Sequence, residues 1–583
     1  MKPEFGSVRK LLMFVLFSFN RLKTAAFAAF AVIFGLILFS EIGLAQTPTP
    51  DPLPTVTPVP MPSPNDPMPA APSFSKPTAP LPSLDRVGVD IGNQLSLTLD
   101  QAIEMALKNN NDIDVSRNDT KIADFNFKAA NGVYDPLLNS QGYFESRTTP
   151  TASTIGGAVN GSVTQRQFFS DFGISGIVPK FGGSYDVIFN SSRTTSTNRN
   201  STLNPQFPTS LVVTFTQPLW RGRNIDQNRR TILIAKKNID LSDSQLREKA
   251  MDTVTTVQQA YWDLTYALRN LQVQMDALKQ AKEQLESNQR LVAKGILAPI
   301  EIVAATAQIS RFEQGVFAAQ ETITRTENTL KTLLLPDKTS AEWSRPITPV
   351  SPIAQTVPRI GLEIAMTEAL KNRPEIEQIG VNTEINEINK KFYKNQLKPQ
   401  LDLVSSYTAA GLAGTPNPLS AGAANVPANL VGGYFGSITN LLQQDYPTYR
   451  IGVQLALPLR NTVAKANLGR TLVEGDRIQN QREQTEQTIT AEVRNSLQAL
   501  RSAESVLTSA TTTREAAEEL YNSEERQFRS GTTTFYLVSQ RQTDLLAAKA
   551  TELQAQTNLN KIISIFQRAI GNTLTVNNVT VTK

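Results

Sequence analysis

The fold is decided by residues 257–333, which read VQQAYWDLTYALRNLQVQMDALKQAKEQLESNQRLVAKGILAPIEIVAATAQISRFEQGVFAAQETITRTENTLKTL. Apolar residues recur in steps of three and four on both sides of the central KGILAP. Before it they are Tyr261, Leu264, Leu268, Leu271, Met275, Leu278, Leu285 and Val292; after it they are Ile302, Ala305, Ile309, Phe312, Val316, Ala319, Ile323, Leu330 and Leu333. The skipped positions of the two series are filled by Lys282, Gln289 and Thr326. A period of about 3.5 residues indicates two helices that supercoil around each other.

The residues between the two arms predict a helix end followed by a helix start. Gly295 can end a helix in the left-handed backbone conformation, and Pro299 suits the first turn of the next helix. The stretch therefore predicts an antiparallel α-hairpin with a narrow apolar seam and a tip at Gly295.

This hairpin occurs twice in the chain. When the second copy is aligned with the first, Gly531 matches Gly295, and the apolar pattern matches on both arms. The matched pairs are Val257 with Val493, Tyr261 with Leu497, Leu264 with Leu500, Val292 with Phe528, Val303 with Ser539 and Ile309 with Leu545. A second match aligns the segment starting at Leu99, without a gap, with the one starting at Leu362. Two matches in the same order indicate a duplicated chain.

Composition excludes several classes of function. The 583 residues carry a net charge of only +5, which gives no indication of nucleic-acid binding. The chain has neither Cys nor His, so disulfides, Cys or His metal sites and His general bases are excluded. We find no phosphate-binding loop or nucleophile motif, and the carboxylates Glu283, Glu286, Glu518 and Glu519 lie on polar helix faces. We therefore expect no enzyme and no cofactor.

The N-terminal part, up to position 95, is predicted to precede the folded part. Basic residues ahead of an apolar run from Thr24 to Phe39, with small residues up to Ala45, predict a signal peptide over residues 1–45. An uncleaved membrane anchor is the alternative, but the run is short for a spanning helix. Residues 46–95 are predicted to be a Pro-rich linker, either a plain spacer or a segment that contacts the cell wall.

Residues 137–219 alternate with the period of β-strands. Within each segment the apolar residues share one parity: Phe168, Phe172, Ile174 and Val178; then Tyr185, Val187 and Phe189; then Leu211, Val213 and Phe215. Polar stretches at 148–163 and 194–209 predict exposed loops, and Lys180 to Gly183 predicts a tight turn. Short turns at one end and long polar loops at the other are typical of an outer-membrane β-barrel. A soluble sandwich is the alternative.

Helices are predicted on both sides of these strands and again in the second half. We expect helices over 98–131, 226–292, 298–335, 361–396, up to Arg529, and 532–570. Strands are predicted around Leu401 to Tyr407 and Tyr449 to Leu457, with a loop over 410–447 between them. The predicted organisation is a first structural repeat over 96–335, a linker over 336–360, a second repeat over 361–571 and a short tail over 572–583.

The order of these elements resembles the TolC family of outer-membrane efflux proteins. The resemblance covers about residues 96–570 and rests on three features: the duplicated helix–strand–strand–helix–helix order, the run Gln217-Pro218-Leu219-Trp220-Arg221-Gly222 after a strand, and the Gly295 and Gly531 tips. It implies an α+β membrane protein that forms a homotrimer, with one shared β-barrel in outer-membrane lipid and a long periplasmic α-helical barrel.

In function, the resemblance implies the exit duct of a tripartite efflux pump or a type I secretion system. Its partners would be a periplasmic adaptor (membrane fusion) protein and an inner-membrane pump. The residues expected to meet the adaptor are Gly295, Ile296, Leu297, Gly531, Thr532 and Thr533. Lipid does not tolerate an open sheet edge. A chain with few strands must therefore oligomerise if its strands span the membrane, in agreement with the homotrimer.

One part of the sequence departs from the family pattern. Family members carry acidic residues after the second tip, whereas this chain has Leu537 and Gln540, six and nine residues after Gly531. Glu301, six residues after Gly295, is acidic. We expect these three residues at the periplasmic gate, with Leu537 in the hairpin seam as the alternative. The first half also has four predicted strands rather than two, so the hairpin over about 166–192 either joins the barrel or folds outside it.

Two other functions fit parts of the sequence less well. A structural periplasmic coiled-coil protein would not need the alternating strand from Tyr449 to Leu457. A stand-alone porin would need many more strands and no long helices.

Overall fold

The computed structural model describes residues 80–83, 85–152, 154–158, 160–353 and 356–580. The predicted signal peptide and the linker up to residue 79 lie outside the described residues.

Ten α-helices are formed in the described part of the chain. They are α1 (Leu99–Asn109), α2 (Asn111–Asn131), α3 (Gln227–Ala293), α4 (Ile300–Leu334), α5 (Leu362–Asn372), α6 (Pro374–Gln396), α7 (Tyr434–Gln443), α8 (Thr462–Arg529), α9 (Phe535–Ala569) and α10 (Thr573–Val576). Thr98 and Gln101 form a capping box at the start of α1, and the Asp226 carboxylate accepts from the Arg229 N–H at the start of α3. The predicted bounds of the long helix α3 differ from the observed ones by one residue at each end.

The first helix of each repeat is broken, where a single continuous helix was expected. Asn110 is extended, and its side chain accepts hydrogen bonds from the backbone of Asp112 and Ile113, so it ends α1 and starts α2. Arg373 is extended for a different reason, because the ring of Pro374 excludes the helical conformation from the preceding residue. Both predictions of one helix were wrong at these positions.

Six strands form one antiparallel sheet in the order β2-β3-β4-β5-β7-β8. They are β2 (Leu137–Pro150), β3 (Ser162–Ile177), β4 (Ser184–Ser196), β5 (Leu203–Pro218), β7 (Gln400–Pro416) and β8 (Tyr446–Ala456). The hairpin over 166–192, whose place was left open, is part of this sheet. The predicted loops were too long, since the strands extend well into 148–163, 194–209 and 410–447, and the last of these also contains α7.

One face of the sheet is apolar across all six strands. We call it the apolar face; its large side chains are Leu138, Phe144, Phe168, Phe172, Ile174, Tyr185, Val187, Phe189, Leu211, Val213, Phe215, Leu401, Leu403, Tyr407, Tyr449, Ile451, Val453 and Leu455. Among the described strands, its only charged side chains are Arg166 and Arg193. Both lie towards the strand ends farthest from the long helices. The acids Asp171, Asp186 and Asp402 belong to the opposite face. The predicted alternation is confirmed.

The boundary between the predicted Pro-rich linker and the first repeat pairs with part of the predicted linker over 336–360. β1 (Leu95–Leu97) and β6 (Ile347–Pro349) form a parallel two-stranded sheet that joins the start of the first repeat to the inter-repeat segment. The Tyr261 hydroxyl donates to the Leu97 carbonyl at 2.9 Å and so fixes this sheet to α3. The predicted short polar tail also differs, because it contains α10, and Leu574 and Val579 pack on the core beside α3.

The predicted hairpin seam is the core of the helical part. Its residues nearer the tip, including Leu278, Phe312 and Val316, are buried in one apolar cluster, and those farther from the tip, including Tyr261 and Ile323, belong to a second cluster. α3 packs along α2, α4, α6 and α9, so it lies inside the helix layer of the chain. In the described part of the chain, α8 packs mainly along α5, α6 and α9, and Phe528 near its end packs on the cluster of α3 and α4.

Candidate functional site

The tip of the first hairpin closes with a defined backbone motif. Gly295 has φ +69°, its N–H donates to the Val292 carbonyl at 2.9 Å, and the Ile296 N–H donates to the Leu291 carbonyl at 2.9 Å. These two bonds form a Schellman motif, which satisfies carbonyls that the helix end leaves unpaired. The tip therefore requires a residue that adopts positive φ, and Gly does so without strain.

The second tip repeats this geometry. Gly531 has φ +77°, and the N–H groups of Gly531 and Thr532 donate to the carbonyls of Phe528 and Gln527, each at 3.0 Å. Side chains add to the backbone motif here, since the Thr533 hydroxyl donates to the Glu524 carboxylate at 2.5 Å. At both glycines a Cβ would meet no atom within 4 Å, so only φ restricts substitution.

The two tips border one cavity of about 970 Å³. It brings together Ile296, Leu297 and Glu301 of the first hairpin with Gly531 and Thr533 of the second; Thr532 does not line it. The remaining wall is mixed, with Tyr521, Glu525, Phe528 and Arg529 from α8. Burial raises the pKa of the Tyr521 hydroxyl, and the nearby Glu525 carboxylate raises it further. Five of the nine residues singled out from the sequence thus share one groove.

The structure separates the other two residues predicted at the gate, Leu537 and Gln540, from this groove. Leu537 is 39 % exposed and Gln540 is exposed, whereas the seam positions of α9 are taken by Phe535 and Val538. Leu537 therefore does not lie in the seam of its own hairpin.

One residue that the sequence analysis missed lies on the same stripe. Asp544 follows Gln540 by four residues and is exposed, so Leu537, Gln540 and Asp544 lie on one side of α9. Its carboxylate is 3.5 Å from the Arg541 guanidinium. The spacing of three and four residues was the signal that could have found it.

The edges of the sheet are the second functional feature. Every residue of the two edge strands, β2 and β8, is exposed. On the apolar face this exposure includes Phe144 of β2 and Ile451 of β8, and Phe172 of the neighbouring β3 is exposed as well. A soluble monomer rarely exposes an apolar surface of this extent, and an unpaired strand edge invites pairing with another chain.

Two features are absent from the described residues. No helix in this part is both long and apolar enough to cross a membrane. No group of three or more acidic side chains in it is placed to hold a metal ion.

Comparison with known proteins identifies this architecture. The model of the family described as outer membrane efflux protein matches residues 175–334 and 365–572. Among solved structures, the outer-membrane channel OprN is 16% identical with a TM-score of 0.57; the match covers 86% of this chain and 98% of that one.

Two further channels have the same fold. The Campylobacter jejuni CmeC outer membrane channel is 15% identical with a TM-score of 0.57, covering 88% of this chain and 95% of that one. The Neisseria gonorrhoeae MtrE outer membrane channel is 14% identical with a TM-score of 0.54, covering 85% and 98%. No curated protein matches the sequence.

Proposed function

The chain belongs to the outer membrane efflux protein family, and from this premise we propose that three copies form one export duct. It is an outer-membrane channel protein whose family consists of efflux channels rather than enzymes. The observation that carries the trimer is the six-stranded sheet with an exposed apolar face and two exposed edges.

The number of strands in the sheet explains why several chains are needed to close one barrel. Six strands leave both sheet edges open, and open edges are not tolerated in lipid. Three copies of six strands give eighteen, a size at which barrels enclose a water-filled channel. The apolar face then contacts outer-membrane lipid, and the face with Asp171, Asp186 and Asp402 lines the water-filled interior.

The long helices extend this duct into the periplasm. At 1.5 Å per residue, α3 and α8 are each roughly 100 Å long. Their narrow apolar seams suit the wall of a tube rather than a compact core. A structural coiled-coil protein would not need the apolar face of the sheet, and a stand-alone porin would need all its strands in one chain.

The helical tips are the proposed contact with a periplasmic adaptor, which connects the duct to an inner-membrane pump. The supporting observation is the groove between the tips, which presents Ile296 and Leu297 beside Thr533. Replacing Gly295 and Gly531 together with Val should disfavour the positive φ at both tips. Export should fail while the protein still reaches the outer membrane, and normal export by this double variant would refute the contact role.

A gate with little acidic charge is proposed at the same end. Leu537 and Gln540 have no titrating group, so divalent block and pH sensitivity of the conductance should be weak. In bilayer recordings, Leu537→Asp and Gln540→Asp should gain cation selectivity and divalent block if these positions line the constriction. Strong divalent block in the wild type that survives Glu301→Gln would contradict the proposal.

The experiment that tests the function itself is single-channel recording of the purified protein in planar bilayers. A stable, water-filled conductance is expected. Protein that inserts into the bilayer but never conducts would contradict the role of an export duct.

A further inference from the structure

α7 lies on the apolar face of the sheet, and we propose that it is a lipid-contacting helix that anchors the channel in the outer leaflet. The inference rests on the proposed orientation of the sheet, with the apolar face towards lipid. It goes beyond that orientation because it assigns lipid contact to a helix within the β7–β8 connection.

Close packing fixes the side of the sheet on which α7 lies. At Gly411 of β7, an added Cβ would clash with the Ser437 carbonyl oxygen, so only Gly permits this approach. The hydroxyls of Thr209 and Ser437 are 2.7 Å apart. Gly411 and Thr209 are paired neighbours in β7 and β5 and have the parity of Tyr407 and Leu211. α7 is therefore packed on the apolar face.

The polar groups of α7 that face the protein have partners. The Asn440 side-chain amide donates to the carbonyls of Leu412 and Asn429, each at 2.7 Å. Ser437 and Asn440 are buried. The inner side of α7 is thus a completed protein contact and needs no further partner.

The outer side of α7 is uncharged, mainly apolar and uncovered in the chain. On this side the exposed Thr439 donates its hydroxyl to the Phe435 carbonyl at 3.0 Å. Phe435 is 80 % exposed and Leu442 is 73 % exposed, and Ile438 between them is half-buried. These residues are three and four positions apart and so share one face of the helix. From Val431 to Gln444 the sequence has no ionisable side chain except Tyr434. An aromatic and aliphatic stripe without charge suits lipid rather than water.

The height of α7 matches the outer boundary of the membrane. β7 leaves the helical part at Gln400, and α7 meets it at Gly411, eleven residues farther along the strand. At about 3.3 Å per residue and a tilt of about 40°, that distance is roughly 28 Å measured along the barrel axis. The apolar band of an outer-membrane barrel is about 25 Å tall. α7 therefore lies at the level of the outer interface, continuous with the apolar face.

The test uses the absence of native cysteine, which makes every introduced Cys unique. Phe435→Cys and Leu442→Cys are spin-labelled in the full-length protein, which is reconstituted in phospholipid vesicles. Phe172→Cys on the apolar face is the lipid control, and Arg199→Cys in the connection between β4 and β5 is the water control. Accessibility to oxygen, which partitions into lipid, is compared with accessibility to a water-soluble nickel chelate.

We expect the oxygen-to-nickel ratio at 435 and 442 to match that at 172 and to exceed that at 199 several-fold. A ratio at 435 and 442 like that at 199, with 172 still in lipid, would overturn the assignment of α7 and leave the proposed function intact. A water-like ratio at 172 as well would instead contradict the proposed orientation of the sheet. Low access of both probes at 435, with spin–spin broadening between copies, would identify a neighbouring copy as the partner and also overturn the proposal.

Discussion

Hairpin 1 (α3 and α4) and hairpin 2 (α8 and α9) have the same tip geometry but differ at mid-height. In hairpin 1, Leu278 and Val316 are fully buried in the apolar seam. The equivalent positions of hairpin 2 are Arg514 and Glu552, which form an ion pair at 3.0 Å. Hydrogen bonds to Glu518 and then Glu552 raise the pKa of the Arg514 guanidinium. The duplicated hairpins thus close the same seam with apolar packing in one copy and with charge in the other.

The difference follows from the neighbours of the two long helices. α3 has helices on both sides, and its buried side chains extend from Ala235 to Asn288, along most of its length. α8 is equally long, but its last buried side chain is Ala510, well before the tip. An ion pair at partly exposed positions can remain hydrated, which is not possible at the buried positions of α3. The comparison indicates that hairpin 1 is the interior of the protomer and hairpin 2 is its edge.

The largest expected effect comes from exchanging the apolar and charged residues at the equivalent positions 278 and 514. Leu278→Arg places an unpaired charge in the buried seam and should destabilise the protein by on the order of 5 kcal/mol. The matched change Arg514→Leu should cost far less because its ion pairs are partly hydrated. Thermal unfolding in detergent measures both, and equal losses in the two hairpins would contradict the distinction between interior and edge.

The second expected effect concerns a position that is charged in hairpin 1 and apolar in hairpin 2. In hairpin 1 the buried Glu327 carboxylate lies 2.5 Å from Arg86 and 2.6 Å from Lys331, whereas the equivalent residue of hairpin 2 is Ile563. Glu327→Gln leaves the buried Lys331 and the partly buried Arg86 without their anion and should cost about 3 kcal/mol. Ile563→Val, the control, should cost about 1 kcal/mol. The same unfolding assay applies, and a smaller loss for Glu327→Gln than for the control would refute the structural role of this cluster.

The two repeats also differ in the surroundings of one acidic side chain. Burial alone would raise the pKa of the Glu375 carboxyl. Its own backbone N–H, together with Arg373 and Arg568, outweighs this and lowers the pKa overall. The equivalent acid of the first repeat, Asp112, pairs with Lys249 at an exposed position.

Because the folded pKa of Glu375 is depressed, its stabilising contribution is present above the unfolded pKa and is lost as pH falls through the folded pKa. Stability against unfolding, measured from pH 6 down to pH 3, should therefore fall, and the fall should be smaller in Glu375→Gln, which already lacks this contribution at pH 6. An unaltered profile in Glu375→Gln would exclude this group as the cause.

The smallest expected effect should be equal in the two hairpins. Gly295→Ala and Gly531→Ala each place a Cβ at positive φ with open space around it, so each should cost about 1 kcal/mol. Thermal unfolding of the single variants measures this. A much larger loss at one tip would mean that the two tips are not equivalent.

Periodic segments could be predicted from the sequence, and segments fixed by distant contacts could not. The bounds of α3 were predicted closely because its apolar period and Gly295 are local signals. The pairing of β1 with β6 joins Leu95 to Ile347, which lies in the other half of the chain, and neither strand is long enough to show a period. α7 was missed because this short helix is stabilised by packing on Gly411 rather than by a long amphipathic pattern.

The candidate site also has a part that local sequence signals reveal and a part that depends on distant contacts. The tips were found because Gly and Pro mark them in the sequence. The groove between them was missed because it depends on packing of α9 against α3, a contact between the two repeats. Asp544 was missed because the family resemblance directed attention to Leu537 and Gln540 and not to the next turn of α9.

We propose that one chain forms only part of the β-barrel and of the helical tube, and that three chains complete both. The most direct test of this proposal is the native mass of the purified protein in detergent. We expect a single species with three times the mass of the mature chain. A stable monomer that still conducts ions in bilayers would contradict it.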